Sequence, residues 1–247
     1  MSVSEATVPR RSGLLNAVDI IVAPNAAFDR LRVVPAWGWA FLVATLLGIA
    51  GSLLGMPATL HAMQATLPAQ LAANPAIARL PADKQSAAIA NQMAMVLTVS
   101  KVGYLFVPIG ILVAGLVQAL VMTAANAIGH GDGTFRKFFA LSVTVGVIGV
   151  GIYTLLNGLI LAVRGPDAFD TVGALYAVPG LAMLAPGAGG AVHGFLAAFN
   201  VIYLWADALL ALGMIRVARI PKATAWTTAA VILLATAALI AYQSRTS

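Results

Sequence analysis

No cysteine occurs anywhere in the 247 residues. Disulfide frameworks and thiolate metal sites are therefore excluded, and cysteine usage gives no mark of redox compartment. Charge is also scarce. Asp, Glu, Lys and Arg together make 9% of the chain, against about 25% in an ordinary soluble domain. So few charges cannot cover a folded surface that faces water. Dense basic patches with interleaved aromatics are missing too, so the net charge of +6 is not a nucleic-acid signature and no nucleic-acid partner is expected. What the chain has instead is apolar: hydrophobic residues make 61% and the mean hydropathy is +0.94. Lipid is the solvent that this composition calls for, and the length suits one membrane domain.

Five apolar stretches are long enough to cross ~30 Å of hydrocarbon, which takes about 20 helical residues. They fall near residues 36–56, 103–128, 139–163, 194–215 and 225–242. They lack the alternation of barrel strands, so each is read as a helix. The fold class expected is an all-α membrane protein, a five-helix transmembrane bundle over residues 17–242. Residues 1–16 form a disordered cytoplasmic tail in this reading, and residues 243–247 an extracytoplasmic one. Arg10 and Arg11 mimic the charged start of a signal peptide. Asn16 and Asp19 interrupt the apolar piece after them, so the first span is expected to be an uncleaved anchor.

Orientation follows from the basic residues at the span ends. Arg30, Arg32, Arg136, Lys137, Arg216, Arg219 and Lys222 on one side outnumber Lys101, Arg164 and Arg245 on the other. The positive-inside rule then puts the N-terminus in the cytoplasm and the C-terminus outside, in a bacterial cytoplasmic (inner) membrane. Trp37, Trp39, Trp226 and Tyr242 sit where interfacial aromatics belong.

Outside the spans, three segments carry signals. The lead-in from Ala17 reads as an amphipathic interfacial helix, with Pro24 at a helix start and Phe28 and Leu31 at helical spacing. It either lies among lipid headgroups, with Arg30 and Arg32 near anionic lipid, or packs under the bundle. Residues 57–102 read as a long loop. Its second half, 82–100, forms a helix projecting from the membrane and running into the second span, where Pro108 makes a kink. Residues 172–185 are apolar but too short to cross and are broken by Pro179 and Gly180, which makes them re-entrant or interfacial.

Asp207 lies well inside the fourth span, where an ionised carboxylate costs about 2.5–3.5 kcal/mol. His193, Asn200 and Asp207 are spaced by seven and share one helical face in this reading, with Gln118 and Asn157 as partners across the bundle. Such a cluster serves either as a hydrogen-bond network fixing helix register or as a proton or solute relay. Gly129-His130-Gly131-Asp132-Gly133 contains Gly-x-Gly-Asp, which resembles the motif of presenilin-like intramembrane aspartyl proteases, with Asp207 as a conceivable second acid. A glycine-rich turn between helices explains the same residues. His130 with Asp132 supplies too few ligands for a metal, and no metal or cofactor is expected. Gly48, Gly51 and Gly55 form one small-residue face for close helix contact, and Ser142, Gly146 and Gly149 another.

The order of these features resembles the Yip domain family, five-span membrane proteins named for interaction with Ypt/Rab GTPases. Ile20 to Phe28 with Leu31, Pro35 and Trp37 looks like the family's opening I-x-x-P-x-x-A-F element and its Pro-x-Trp. Gly133-Thr134-Phe135-Arg136-Lys137 looks like its connection before the third span. Phe199, Ile202, Trp205 and Gly213 are similar to its fourth-span pattern. Eukaryotic members are linked to vesicle trafficking and bind prenylated Rab GTPases. The family supplies no catalytic residue. The resemblance implies a non-enzymatic membrane scaffold or adaptor of prokaryotic type. Its partners would be membrane lipids and a partner membrane protein or a second copy of itself. Its working surface would be Phe28, Arg30, Arg32, Arg136 and Lys137. A small-solute or ion transporter or channel using the His193, Asn200, Asp207, Gln118 and Asn157 cluster is the alternative, and an intramembrane aspartyl protease the third reading.

Overall fold

The structure is a computed structural model and describes residues 13–185 and 187–245. Arg10, Arg11 and most of the expected N-terminal tail lie outside the described residues, as do Pro186 and the last two residues. Among the described residues the secondary structure is helical, apart from one isolated bridge between Gly180 and Asn200. Five helical stretches are long and apolar enough to cross a membrane: Gly38–Ala72, Ala82–Gly129, Phe135–Arg164, Val201–Ala218 and Lys222–Ser244.

Two short helices precede the first crossing, α1 (Gly13–Val22) and α2 (Pro24–Val33). Residues 13–16, expected to belong to the tail, are already helical, and Asn16 is buried with Ala17. Pro24 occupies the first turn of α2, where its missing N–H costs nothing. Ile20, Phe28 and Leu31 are fully buried, so one face of the pair packs into the end of the bundle. The opposite face keeps Leu14, Val18, Val22 and Val33 exposed.

The first crossing is α3 (Gly38–Ala72), whose 35 residues extend ~52 Å at 1.5 Å per residue. That exceeds the hydrocarbon thickness by a wide margin. The loop expected from residue 57 is therefore corrected: Pro57 and Pro68 lie inside the helix. The alanine, leucine and methionine residues that follow Pro57 are strong helix formers and carry it on. A short turn of helix, α4 (Pro75–Ala78), leads into α5 (Ala82–Val102), which returns along α3. The two form a projecting hairpin, with Ser100 Oγ 3.2 Å from Met63 Sδ. A 3-10 turn, Gly103–Phe106, joins α5 to α6 (Val107–Gly129). The kink expected at Pro108 takes this form. The proline ring would crowd the carbonyl four residues back, at Tyr104, and the 3-10 turn relieves it.

The third crossing consists of α7 (Phe135–Gly146), a π-helical turn Val147–Ile152 and α8 (Tyr153–Arg164). It is the most buried of the five crossings and the second is the least buried. It packs on α3 through Gly51 and Gly158. A Cβ on Gly158 would stand 2.0 Å from the Gly51 carbonyl oxygen, and one on Gly51 2.2 Å from that of Thr154. The helices therefore touch backbone to backbone, as small residues permit in a membrane.

Three 3-10 turns, Pro166–Ala168, Gly173–Leu175 and Leu181–Leu184, follow before α9 (Gly190–Ala197). Then come α10 (Val201–Ala218) and α11 (Lys222–Ser244). The fourth crossing starts at Val201, not near residue 194. Asn200 ends the approach by capping α10: its Oδ1 accepts from the N–H groups of Ile202 and Tyr203 at 3.1 and 3.0 Å, and its Nδ2 donates to Ala197 O at 2.8 Å. Asparagine competes for backbone groups in this way and favours helix starts. α9 instead packs against the end of α11, where a Cβ on Gly194 would meet Ser244 Oγ at 2.6 Å. Connections thus gather at two ends of the bundle. One, the charged end, holds α1, α2, the 129–134 turn and the α10–α11 corner; the far end holds the α3–α5 hairpin, residues 165–185 and 187–200, and the end of α11.

Candidate functional site

At the charged end three polar clamps fix α2, the 129–134 turn and the α10–α11 corner. In the first, Arg30 donates to Asn16 Oδ1 and to Asp19, tying α2 back onto α1. In the second, Arg216 Nε and Nη2 donate to the two carboxylate oxygens of Asp29 at 2.7 and 2.9 Å, tying α2 to α10. The Arg216 hydrogen bond, and behind it the positive charges of Arg216, Arg32 and Arg30, hold the Asp29 carboxyl below its ordinary value of 3.8.

The third clamp is the Gly129–Gly133 turn. Its end of α6 closes with His130 in the left-handed region at φ 51°. Asn126 Oδ1 accepts from Gly133 N–H at 3.1 Å, and Asp132 N–H donates to Ala218 O at 2.9 Å. A Cβ on Gly131 would stand 2.4 Å from Asn126 Oδ1, and one on Gly133 2.3 Å from the Phe138 ring. The glycines are required by this close approach, which accounts for the Gly-x-Gly-Asp pattern as a turn. Asp132 faces Arg219 at 3.6 Å. Asp207 lies eleven residues before Ala218, ~16 Å along α10 at 1.5 Å per residue. Asp132 and Asp207 therefore form no dyad, and the geometry that the third reading requires is absent.

Two of the expected surface residues are placed otherwise. Phe28 is 0% exposed and belongs to the core, because the apolar face of α2 turns inward. Arg30 is spent on Asn16 and Asp19. Arg136 is exposed, and Arg32 and Lys137 are partly so, on the outside of the same end. Thr134 caps α7 by accepting from Lys137 N–H at 3.4 Å.

The intramembrane polar residues separate into distinct environments. His193 is on α9, Asn200 is the α10 cap, and the seven-residue spacing to Asp207 crosses non-helical backbone, so the three share no helical face. Asn157 serves the far-end segment: its Nδ2 donates to Leu175 O and its Oδ1 accepts from Ala177 N–H, both at 2.9 Å. Only Gln118 joins Asp207. Both line a cavity of about 260 Å³ with Ser142, Tyr203 and Thr236, and Ser142 Oγ donates to Gln118 Oε1. The Ser142, Gly146 and Gly149 stripe lines this cavity as well, and Gly149 also lies close against α10, where a Cβ would stand 3.3 Å from Ala206 Cβ.

Sequence reasoning missed the Asp29–Arg216 pair and Gly158. The pair is separated by 187 positions and has no local signature. Gly158 is a single glycine within an apolar span, and only its apposition to Gly51 reveals its use.

Over 235 residues the chain is 27% identical to a protein of Bacillus subtilis (strain 168) named Membrane protein YknW, covering 92% of this chain and 91% of the relative. No protein-family model matches the chain, and no solved structure matches it. The near end-to-end similarity to a membrane protein and the five apolar helices agree on a multi-span membrane protein.

Proposed function

We propose that the chain is a non-enzymatic scaffold or adaptor of the Yip type in a bacterial cytoplasmic membrane, working through its charged end on anionic lipid and a membrane partner. One observation carries this reading: α1 and α2 are locked to the bundle by the Asp19–Arg30 and Asp29–Arg216 pairs, while Arg32, Arg136 and Lys137 remain on the outside. An amphipathic lead-in held rigidly beside a basic rim presents lipid headgroups with apolar and cationic contacts together. Residues that carry the Yip resemblance fall at packing points. Ile20, Phe28 and Leu31 are buried, Trp37 meets Phe139 edge-on at 5.2 Å, and Gly213 abuts Leu141 so closely that a Cβ would clash at 2.4 Å.

Native mass spectrometry of the protein extracted with its own lipids tests the reading. Wild type is expected to retain phosphatidylglycerol in preference to phosphatidylethanolamine. Replacing Arg32, Arg136 and Lys137 together by glutamine removes about 1 kcal/mol per charge, roughly a hundredfold in preference. An unchanged lipid profile in the triple variant overturns the lipid role.

A further inference from the structure

The cavity beside Asp207 has no part in the scaffold reading and stands apart from the charged end. Asp207 is half-buried within α10 and has no hydrogen-bond or ion-pair partner among the described residues. No Lys, Arg or His lines the cavity it faces. A carboxylate in this position calls for a partner, and none stands among the described residues.

Two of the other polar groups lining the cavity, Ser142 and Thr236, offer acceptors. Ser142 spends its proton on Gln118 Oε1, and Thr236 spends its own on Ile232 O at 2.9 Å, so both hydroxyl oxygens keep free lone pairs. With the Asp207 carboxylate they give three acceptors, beside the Gln118 amide and the Tyr203 hydroxyl, in a largely apolar wall. The space is kept open by sequence. Gly146 lines it, and a Cβ there would meet nothing within 4 Å, so a larger side chain fits but none is present. The π-helical turn Val147–Ile152 begins directly after it, a distortion that recurs at functional sites. Ala114 of α6 and Leu239 of α11, both exposed, stand at the rim, so the mouth opens towards lipid.

We infer that this cavity is a binding site for a lipophilic primary amine, whose ammonium group meets Asp207, Ser142 and Thr236 while its chain leaves between α6 and α11. A cation with three N–H donors matches three acceptors, and an apolar tail matches the mouth. At about 260 Å³ the cavity is just below the ~300–1,000 Å³ of sites that enclose a drug-sized ligand, which suits a headgroup and the start of a chain.

The test is equilibrium binding of radiolabelled dodecylamine to the full-length protein in zwitterionic nanodiscs, with empty nanodiscs subtracted. The expected result is saturable binding of one equivalent that unlabelled dodecanol does not displace. Asp207→Asn should weaken it about tenfold or more, since the ammonium loses its charged partner. Gly146→Leu, which keeps the carboxyl and fills the space, should weaken it likewise while leaving the thermal unfolding midpoint near wild type. Unsaturable partitioning, equal displacement by dodecanol, or unchanged binding in the folded Gly146→Leu protein overturns the assignment.

Discussion

Asp29 of α2 and Arg216 of α10 meet in a forked ion pair across 187 residues of sequence. Arg216 stands at the last turn of α10, where a cation also favours the helix dipole, and Asp29 brings the lead-in to it. Both side chains are about half exposed, 45% and 55%, so water screens much of the attraction. A double-mutant cycle with Asp29→Asn and Arg216→Gln should give a small favourable coupling, because exposed pairs are screened by water. The pH dependence has a definite sign. The folded carboxyl titrates below its ordinary 3.8, so its contribution is whole above that value and is lost as pH falls through the lower folded one. Unfolding in detergent, followed by circular dichroism between neutral and acid pH, measures both effects. No coupling at neutral pH, or coupling that grows with acid, contradicts the pair.

The α3–α8 contact gives a sharper contrast. Gly158→Ala forces a Cβ into the Gly51 carbonyl, and overpacking of this kind costs about 1–3 kcal/mol. Gly146→Ala places its methyl in open space, and alanine favours helix over glycine by about 0.5–1 kcal/mol. Unfolding midpoints of the two variants should therefore move in opposite directions. Equal shifts refute the backbone contact.

Phe28 tests whether the lead-in belongs to the core. Its ring is fully buried, and truncation of such a side chain costs about 3–5 kcal/mol. Phe28→Ala should lower stability by that order and make the α1–α2 segment sensitive to limited proteolysis. A surface residue would give neither result.

Asn157 holds the far-end segment by two hydrogen bonds. Asn157→Leu leaves the partly buried Ala177 N–H and Leu175 carbonyl without this partner, which loosens the segment. Hydrogen exchange at Ala177 should accelerate while amides of α7 keep their protection. Unchanged exchange at Ala177 contradicts the tether.

These residues also show what the sequence displays and what it hides. The five crossings are visible because lipid demands long apolar runs, and Pro24 and the Gly48, Gly51 and Gly55 stripe are visible because their geometry is local. The extent of α3 beyond the membrane is hidden by Pro57, which helix tolerates here. The polar cluster is misread for a related reason. A seven-residue spacing presumes continuous helix, and Asn200 breaks it by taking the cap. Phe28 looks like a surface residue because an amphipathic helix does not say whether its apolar face meets lipid or protein. Pairs such as Asp29–Arg216 and Gly51–Gly158 exist only in three dimensions.

The absence of cysteine makes the most direct test straightforward, since single cysteines can be placed in an otherwise silent chain. Ala73 ends α3 on the projecting hairpin, and Arg136 is exposed at the charged end. In intact cells a membrane-impermeant maleimide should label Ala73→Cys and leave Arg136→Cys untouched until the cells are lysed. Labelling of both positions from outside, or of Arg136→Cys alone, would contradict a bundle of five crossings whose charged end faces the cytoplasm.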